Sequence, residues 1–252
     1  MTLLRDTWLQ FQRASWLTLH NPVWVVVGLT QPILYLVLFG PLLKSLAGPG
    51  MSGASAFNLF VPGLIIQLGL FGAAFVGFGL IEEMREGVIE RMRVTPTSRL
   101  SMLLGRSLRD VAILAAQAVL LVLVAIPFGL TVSIEGLVVV LGLLTLMGLL
   151  MASISYALAL KLRSEDALAP LLMTVTLPLL LLSGVLLPLS LAPDWLKTLA
   201  SVNPLSHAVD AARALFNGQF ADPSVIPGVV LMAGLAAIGL WIGGRAFDRM
   251  VA

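Results

Sequence analysis

The chain has 252 residues, of which 59% are hydrophobic and 11% are charged, and its mean hydropathy is +1.02. Soluble domains carry about 25% charged residues, so this composition excludes an ordinary water-soluble enzyme, a nucleic-acid-binding protein and a disordered tail. The sequence contains no cysteine, which excludes disulfides, thiolate metal sites and a catalytic thiol. The net charge of +2 is small, so the positions of the charges are more informative than their sum.

The N-terminal segment 1–21 has the pattern of an amphipathic helix. On a helix, Leu4, Trp8 and Phe11 fall along one side and Asp6 falls on the opposite side. Tryptophan favours the headgroup layer of a membrane. We therefore expect an interfacial helix that lies on the cytoplasmic surface of a bilayer, and the alternative is an unstructured tail.

Six stretches of the sequence contain no charged residue and are each close to the length of a transmembrane helix. They are 22–43, 59–81, 111–130, 137–160, 167–187 and 225–244. Crossing the hydrocarbon core takes about 20 apolar residues. In lipid the backbone must satisfy its own hydrogen bonds, which favours helices for such continuous stretches. The sequence therefore predicts an all-α polytopic membrane protein, a single transmembrane domain over 1–252 with six transmembrane helices.

The distribution of lysine and arginine predicts the orientation of these spans. Six spans place the two termini and the loops after spans two and four on one side. That side holds 12 of the 15 basic residues, and the other side holds only Lys44, Lys197 and Arg213. Because basic residues accumulate on the cytoplasmic side, both termini are predicted to be cytoplasmic.

Small residues recur at four-residue spacing within three of the predicted spans. They are Gly69, Ala73, Gly77, Gly148, Ala152, Gly239 and Gly243. Such faces let helices approach closely. We expect most of this packing to occur within the chain, and we infer no dimer interface from it.

The sequence lacks the residues that would let this chain supply its own energy or chemistry. No charged side chain lies inside a predicted span, which argues against an ion-coupled carrier. A phosphate loop needs a glycine before its lysine, but each of the three lysines follows a leucine. His20 and His207 have no ligand-like neighbours, which argues against a metal site. We therefore expect no catalytic residue, metal or cofactor on this chain, and an energy source on another molecule.

A charged cytoplasmic segment, 82–96, joins spans two and three. As a helix it would place Glu82, Glu86 and Glu90 on one stripe, with arginines toward its end, where they suit the helix dipole. Pro96 should end the helix nearby. The residues alone leave two readings open: a helix that receives force from a soluble partner, or a solvated connecting loop.

The external region 188–220 reads as two short helices that cannot span a membrane. Asn203-Pro204 places an N-cap before a proline at the first helical position, and Gly218 offers a C-terminal stop. Asp210 and Arg213 can pair at i+3. Helices this apolar should pack back into the bundle or lie in the outer leaflet. They would either cap the outer end of a pathway or simply pack there.

Two ordered sets of motif residues carry a family resemblance. The cytoplasmic set is Arg85, Glu86, Gly87, Ile89, Glu90, Arg91, Met92, Thr95, Pro96 and Arg99. The external set is Ser183, Gly184, Pro188, Pro193, Trp195, Leu196, Asn203, Pro204, Leu205, Val209, Asp210, Ala211 and Arg213. Together they resemble the membrane subunit of ABC-2-type exporters, near the daunorubicin-resistance permease group. The six spans and the amphipathic N-terminus extend the resemblance over nearly the whole chain.

The resemblance implies a permease half of the bacterial cell (inner) membrane that works with other subunits. It would pair with a second copy of itself and with two separate ATPase subunits that bind ATP and Mg, in contact with membrane lipid and without nucleic acid. Its ATPase-coupling residues would be Glu82, Glu83, Arg85, Glu86, Gly87, Glu90, Arg91 and Arg93. Its external re-entrant gate would include Ser183, Gly184, Pro188, Trp195, Asn203, Pro204, Asp210 and Arg213.

Three functional hypotheses follow from the residues and the resemblance together. The first is ATP-driven export of an amphipathic, drug-like or lipid-like molecule. The second is export of a polysaccharide or glycolipid by the same machinery, which the presence of only two tyrosines mildly disfavours. The third belongs to another class and is a secondary carrier or a membrane scaffold that transports nothing.

Overall fold

The computed structural model describes residues 3–20, 23–46, 53–88, 99–185, 189 and 192–249, and within these ranges the regular structure is helical, without strands. The helices are α1 (Leu3–His20), α2 (Val23–Leu46), α3 (Gly53–Ala74), α4 (Gly77–Arg85), α5 (Arg99–Ala125), α6 (Ile134–Leu162), α7 (Glu165–Leu181), α8 (Asp194–Ser201), α9 (Pro204–Phe216) and α10 (Val225–Arg249). A short 3-10 turn, Ile126–Phe128, follows α5.

Among the described residues, each predicted span falls mostly on helix, and α3 and α4 together form the second. In the described part of the chain, four helical segments are long and apolar enough to cross a membrane. They are Phe57–Arg85, Ser101–Phe128, Ile134–Leu162 and Val225–Asp248. The apolar part of α2, Val25–Gly40, is shorter, and α7 has 17 residues. An all-helical, multi-pass membrane protein is therefore confirmed, and the count of six spans stays a prediction.

The α3 helix forms the centre of the bundle, and small residues let its neighbours approach. Nearly every residue from 57 to 70 is buried, because α2, α5, α6 and α9 pack around α3. A Cβ added to Gly69 would lie 2.8 Å from Leu144 on α6, and one added to Gly148 of α6 would lie 3.0 Å from Leu114 on α5. These glycines serve packing within the chain, as the sequence predicts.

The α5 helix begins well before the span predicted from hydropathy. It starts at Arg99 and not near residue 111, so its first three turns carry charged side chains. Hydropathy does not detect these turns because Arg99, Arg106, Arg109 and Asp110 interrupt the apolar pattern. The added turns form the surface on which α1 packs.

The α1 helix contacts α5 through its polar side. Asp6 and Thr7 are buried, whereas Leu4 and Trp8 are 81% and 57% exposed. Contact between the two helices is close, since a Cβ added to Gly105 of α5 would lie 2.9 Å from the Thr7 carbonyl oxygen. Asp6 and Thr7 thus face α5, and the apolar Leu4 and Trp8 point away from the bundle.

Candidate functional site

The predicted coupling segment begins as the last turn of α4 and does not start a helix of its own. The α4 helix ends at Arg85, Glu86 is its C-cap, and the Glu86 N–H donates to the Glu82 carbonyl. Gly87 follows with φ +68°, a left-handed backbone that interrupts helices. The helix that carries Glu82 therefore ends before Gly87, which corrects the expectation of one uninterrupted helix over 82–96 at this point. Glu90, Arg91 and Arg93 lie outside the described residues.

Glu83 joins the end of α4 to α5. Its carboxylate pairs with the Arg106 guanidinium, whose side chain is 8% exposed. A charge this buried is tolerated only when it is paired and hydrogen-bonded. The pair therefore fixes the position of α4 relative to α5.

One turn further along α5, a second set of polar contacts connects α1, α5 and α6. The Arg109 guanidinium lies 2.8 Å from the Asp110 carboxylate and donates to the Thr18 hydroxyl of α1 at 3.1 Å. The Tyr156 hydroxyl of α6 donates to Asp110 at 2.5 Å. The Tyr156 ring also packs edge-on against Phe247 of α10, with ring centroids 6.4 Å apart. We call Glu83, Arg106, Arg109, Asp110 and Tyr156 together the polar cluster.

The remaining described coupling residues face outward. Arg85 pairs with Glu165, the first residue of α7, at 2.9 Å, and both side chains are largely solvent-accessible. Its partner is thus on another helix. Glu82 and Glu86 are exposed on the same end of the molecule. This end therefore combines a buried ionic connection to the bundle with exposed charges beside it.

At the opposite end of the bundle, Arg213 of α9 holds three parts of the chain together. Its guanidinium donates to the Leu59 carbonyl of α3 at 3.0 Å and to the Gly184 carbonyl, just after α7, at 2.7 Å. The side chain is 11% exposed, and the Asp210 carboxylate lies 3.8 Å away. The predicted i+3 pair is therefore present, but it is the weaker part of the contact set. Burial raises the pKa of Asp210, and Arg213 offsets part of that rise.

The N-cap and the proline predicted for the start of the second outer helix are present in the structure. The Asn203 side chain accepts from the Leu205 N–H at 3.0 Å as an N-cap, with Pro204 at the first helical position. Its amide also donates to the Leu179 carbonyl of α7 at 2.7 Å. The apolar face of α9 is buried against α3, α6 and α10. The α9 helix thus packs back onto the bundle, whereas α8 contacts α9 and is largely exposed.

The other external residues are separate from this contact set. The Ser183 hydroxyl donates to the Leu180 carbonyl at 2.5 Å and so closes the end of α7. Trp195 is 66% exposed on α8. Pro188 lies outside the described residues. The structure thus brings Gly184, Asp210 and Arg213 together, places Asn203 at the start of α9 and leaves Trp195 exposed on α8.

Family comparison identifies the molecule. The model of the ABC-2 type transporter family matches residues 5–217, which include the polar cluster, α8 and α9. The chain belongs to the ABC-2 type transporter family. It is the membrane permease part of an ABC transporter.

Similarity to individual permeases extends over most of the chain. Over 243 residues it is 26% identical to the daunorubicin resistance ABC transporter permease protein DrrB1 of Streptomyces coeruleorubidus, covering 94% of this chain and 84% of that protein. Over 201 residues it is 30% identical to ycf38 of Pyropia yezoensis, a proposed transport permease, covering 79% of this chain and 69% of that protein. It is also 25% identical over 173 residues to ABC transporter G family member 20 of Dictyostelium discoideum, covering 65% of this chain and 23% of that protein.

Sequence reasoning did not assign a site role to Arg106, Arg109, Asp110 or Tyr156 of the permease. The two arginines entered only the count of basic residues. Asp110 stands immediately before an apolar span, and Tyr156 is one of two tyrosines in the chain and lies inside such a span. A carboxylate at the edge of a span and a phenol within another could have indicated a pair, because buried polar groups in lipid need partners.

Proposed function

We propose that this permease exports an amphipathic, drug-like or lipid-like molecule from the cytoplasm or inner leaflet, driven by a separate ABC ATPase. A complete transporter would contain two copies of the permease and two of the ATPase, in the bacterial inner membrane. The daunorubicin-resistance role named for one relative supports the substrate class. The arginine-rich end would be cytoplasmic, which agrees with the positive-inside distribution of basic residues.

The observation that carries the proposal is the buried pair between Glu83 and Arg106. Exposed residues Glu82, Arg85 and Glu86 lie beside it on the same end. A soluble ATPase that binds these exposed charges would move the end of α4. Because Glu83 is paired with the buried Arg106 of α5, that movement would reach α5 directly and then the rest of the polar cluster.

The same geometry argues against the carrier hypothesis. A proton-coupled carrier needs a carboxylate that gains and loses a proton during transport. Asp110 is the buried candidate, but it is held by the Arg109 guanidinium and the Tyr156 hydroxyl at the end of the bundle. These contacts favour the interpretation of Asp110 as a fixed ionic anchor over its interpretation as a site that binds a transported proton.

The proposal is tested by identifying an ABC ATPase that co-purifies with the permease and reconstituting the two together in vesicles. We expect ATP-dependent accumulation of daunorubicin, which is fluorescent and can be followed directly. Accumulation that continues after ATP is depleted, and stops on addition of an ionophore, would support the carrier instead. Preferential binding of a labelled polysaccharide over daunorubicin would support the second exporter hypothesis.

Charge reversal in the coupling segment gives a sharper test. Glu86→Arg and Glu90→Arg should insert normally but leave ATP hydrolysis uncoupled from transport. Glu135→Arg is the matched control, since Glu135 is an exposed acid in the first turn of α6 at the other end of the bundle. Normal transport by both coupling variants would remove the proposed role of this segment.

A further inference from the structure

The second span is interrupted between α3 and α4, and a serine from another helix fills the interruption. The α3 helix ends at Ala74, and α4 begins at Gly77. The Gly77 N–H donates to the Ser155 hydroxyl of α6 at 3.0 Å. That hydroxyl in turn donates to the Ala74 carbonyl at 2.5 Å. A side chain that inserts into the backbone ladder is one of the known causes of a bend in a helix.

Ser155 is the sole described side chain that satisfies these two backbone groups. It is completely buried, and its hydroxyl uses its donor on one side of the interruption and its acceptor on the other. The backbones are also very close, since a Cβ added to Gly77 would lie 2.7 Å from the Ser155 carbonyl oxygen. The start of α4 is therefore held directly against α6.

The far end of α4 carries the contacts of the candidate coupling site. Nine residues at 1.5 Å each make α4 a rod of about 13 Å. Glu83 and Arg85 join its last turn to α5 and α7. A force on that end would turn the rod about the point where its backbone ladder is broken, because this point has the fewest helical hydrogen bonds to lose.

Aromatic rings cover the interruption as well. Phe75 lies between Phe71 and Phe78, with ring centroids 6.5 Å and 5.5 Å away. The stack continues from α3 into α4 across the break. Rings stacked in this way can slide over one another while keeping contact, so the break can change its angle without opening a gap.

We infer that Ser155 is a positioning residue for coupling, whose hydroxyl sets the angle of α4 at the interruption between Ala74 and Gly77. This inference rests on the proposed function, because the angle matters only if an ATPase moves α4. In the structure the hydroxyl bridges both ends of the break. When the ATPase pushes on α4, the bridge defines the axis about which the helix turns.

The test compares Ser155→Ala with Ser153→Ala by hydrogen–deuterium exchange of residues 74–80. Ser153 is the matched control: it is a completely buried serine two residues away on α6, and its hydroxyl has no partner among the described residues. In the permease alone, Ser155→Ala should speed exchange at Gly77 and Phe78 about tenfold, as expected for loss of a buried hydrogen bond. Ser153→Ala should leave exchange unchanged.

The second arm repeats the measurement on the permease–ATPase complex, without nucleotide and trapped with ATP and vanadate. In the wild type, nucleotide should change exchange over residues 74–88, and in Ser155→Ala the change over 74–80 should disappear. The inference is overturned if, in the permease without ATPase, Ser155→Ala leaves exchange unchanged. It is also overturned if the nucleotide response over residues 74–80 survives the substitution in the complex. A wild-type complex with no nucleotide response anywhere in the permease contradicts the proposed function itself, while the first arm still decides whether Ser155 holds the break.

Discussion

The Glu83 carboxylate at the end of α4 pairs with the Arg106 guanidinium of α5, which is almost completely buried. Glu83→Gln would keep the shape of the side chain but leave Arg106 without a counter-charge. Because Glu83 itself is partly exposed, we expect a loss of about 2 kcal/mol, below the cost for a fully buried pair. The midpoint of thermal unfolding in detergent should fall by about 4–8 °C.

The control for this substitution is Glu82→Gln. Glu82 is exposed and lies next to Glu83 in the same turn of α4. Glu82→Gln should shift the midpoint of thermal unfolding by less than 2 °C, which is about the effect of an ordinary surface substitution. Equal shifts for the two variants would mean that the pair adds nothing beyond general surface charge.

Tyr156→Phe removes the hydroxyl that donates to Asp110. The carboxylate keeps Arg109 but loses a buried hydrogen bond. We expect a destabilisation of about 1–3 kcal/mol, measured as a lower midpoint of thermal unfolding. Tyr35→Phe is the control, because Tyr35 is the other tyrosine and its hydroxyl accepts one long bond, 3.3 Å, from Gln31. A Tyr156→Phe protein as stable as the control would argue against the polar cluster as a structural connection.

Arg213→Lys tests the corner formed by α3, α7 and α9. A lysine keeps the charge but lacks the planar fork that reaches the Leu59 and Gly184 carbonyls together. We expect a loss of about 1–3 kcal/mol and faster proteolysis between residues 184 and 203. Lys197→Ala is the control, since its ion pair with Asp194 is long, at 3.5 Å, and exposed. Proteolysis at the wild-type rate would contradict the anchoring role of Arg213.

Two glycines of α6 should respond in opposite ways to alanine. A Cβ on Gly136 would lie 2.3 Å from the Leu215 carbonyl oxygen of α9, so Gly136→Ala must displace one of the two helices. We expect a destabilisation of about 1–3 kcal/mol from this overpacking. Gly142 has open space around it, and Gly142→Ala should be neutral or stabilise by up to about 1 kcal/mol through helix propensity. Thermal unfolding of the two variants side by side checks the sign of each effect.

Local sequence signals predicted the parts of this permease whose partners are close in the chain. Apolar stretches located the helices of the bundle, and the cap at Asn203 and the pair of Asp210 with Arg213 needed a few residues each. The polar cluster could not be found this way, because Glu83 and Arg106 are 23 residues apart and Asp110 and Tyr156 are 46 apart. The periodicity of apolar residues describes one helix at a time and does not show which residues of two helices contact each other.

The orientation of α1 shows the same limit. The pattern separates an apolar face from a polar face, but it does not say which face meets α5. In the structure the polar face, with Asp6 and Thr7, is inside, because α5 extends beyond its predicted start and packs against that face. The direction of that face depends on an extension of α5 that hydropathy does not detect.

The contacts of Arg213 make distant parts of the chain depend on one side chain. It clamps the chain just after α7 to the helix that begins at Pro204 and to the start of the central helix. A single guanidinium therefore joins points that lie 29 and 154 residues away along the chain, and its loss would release both at once.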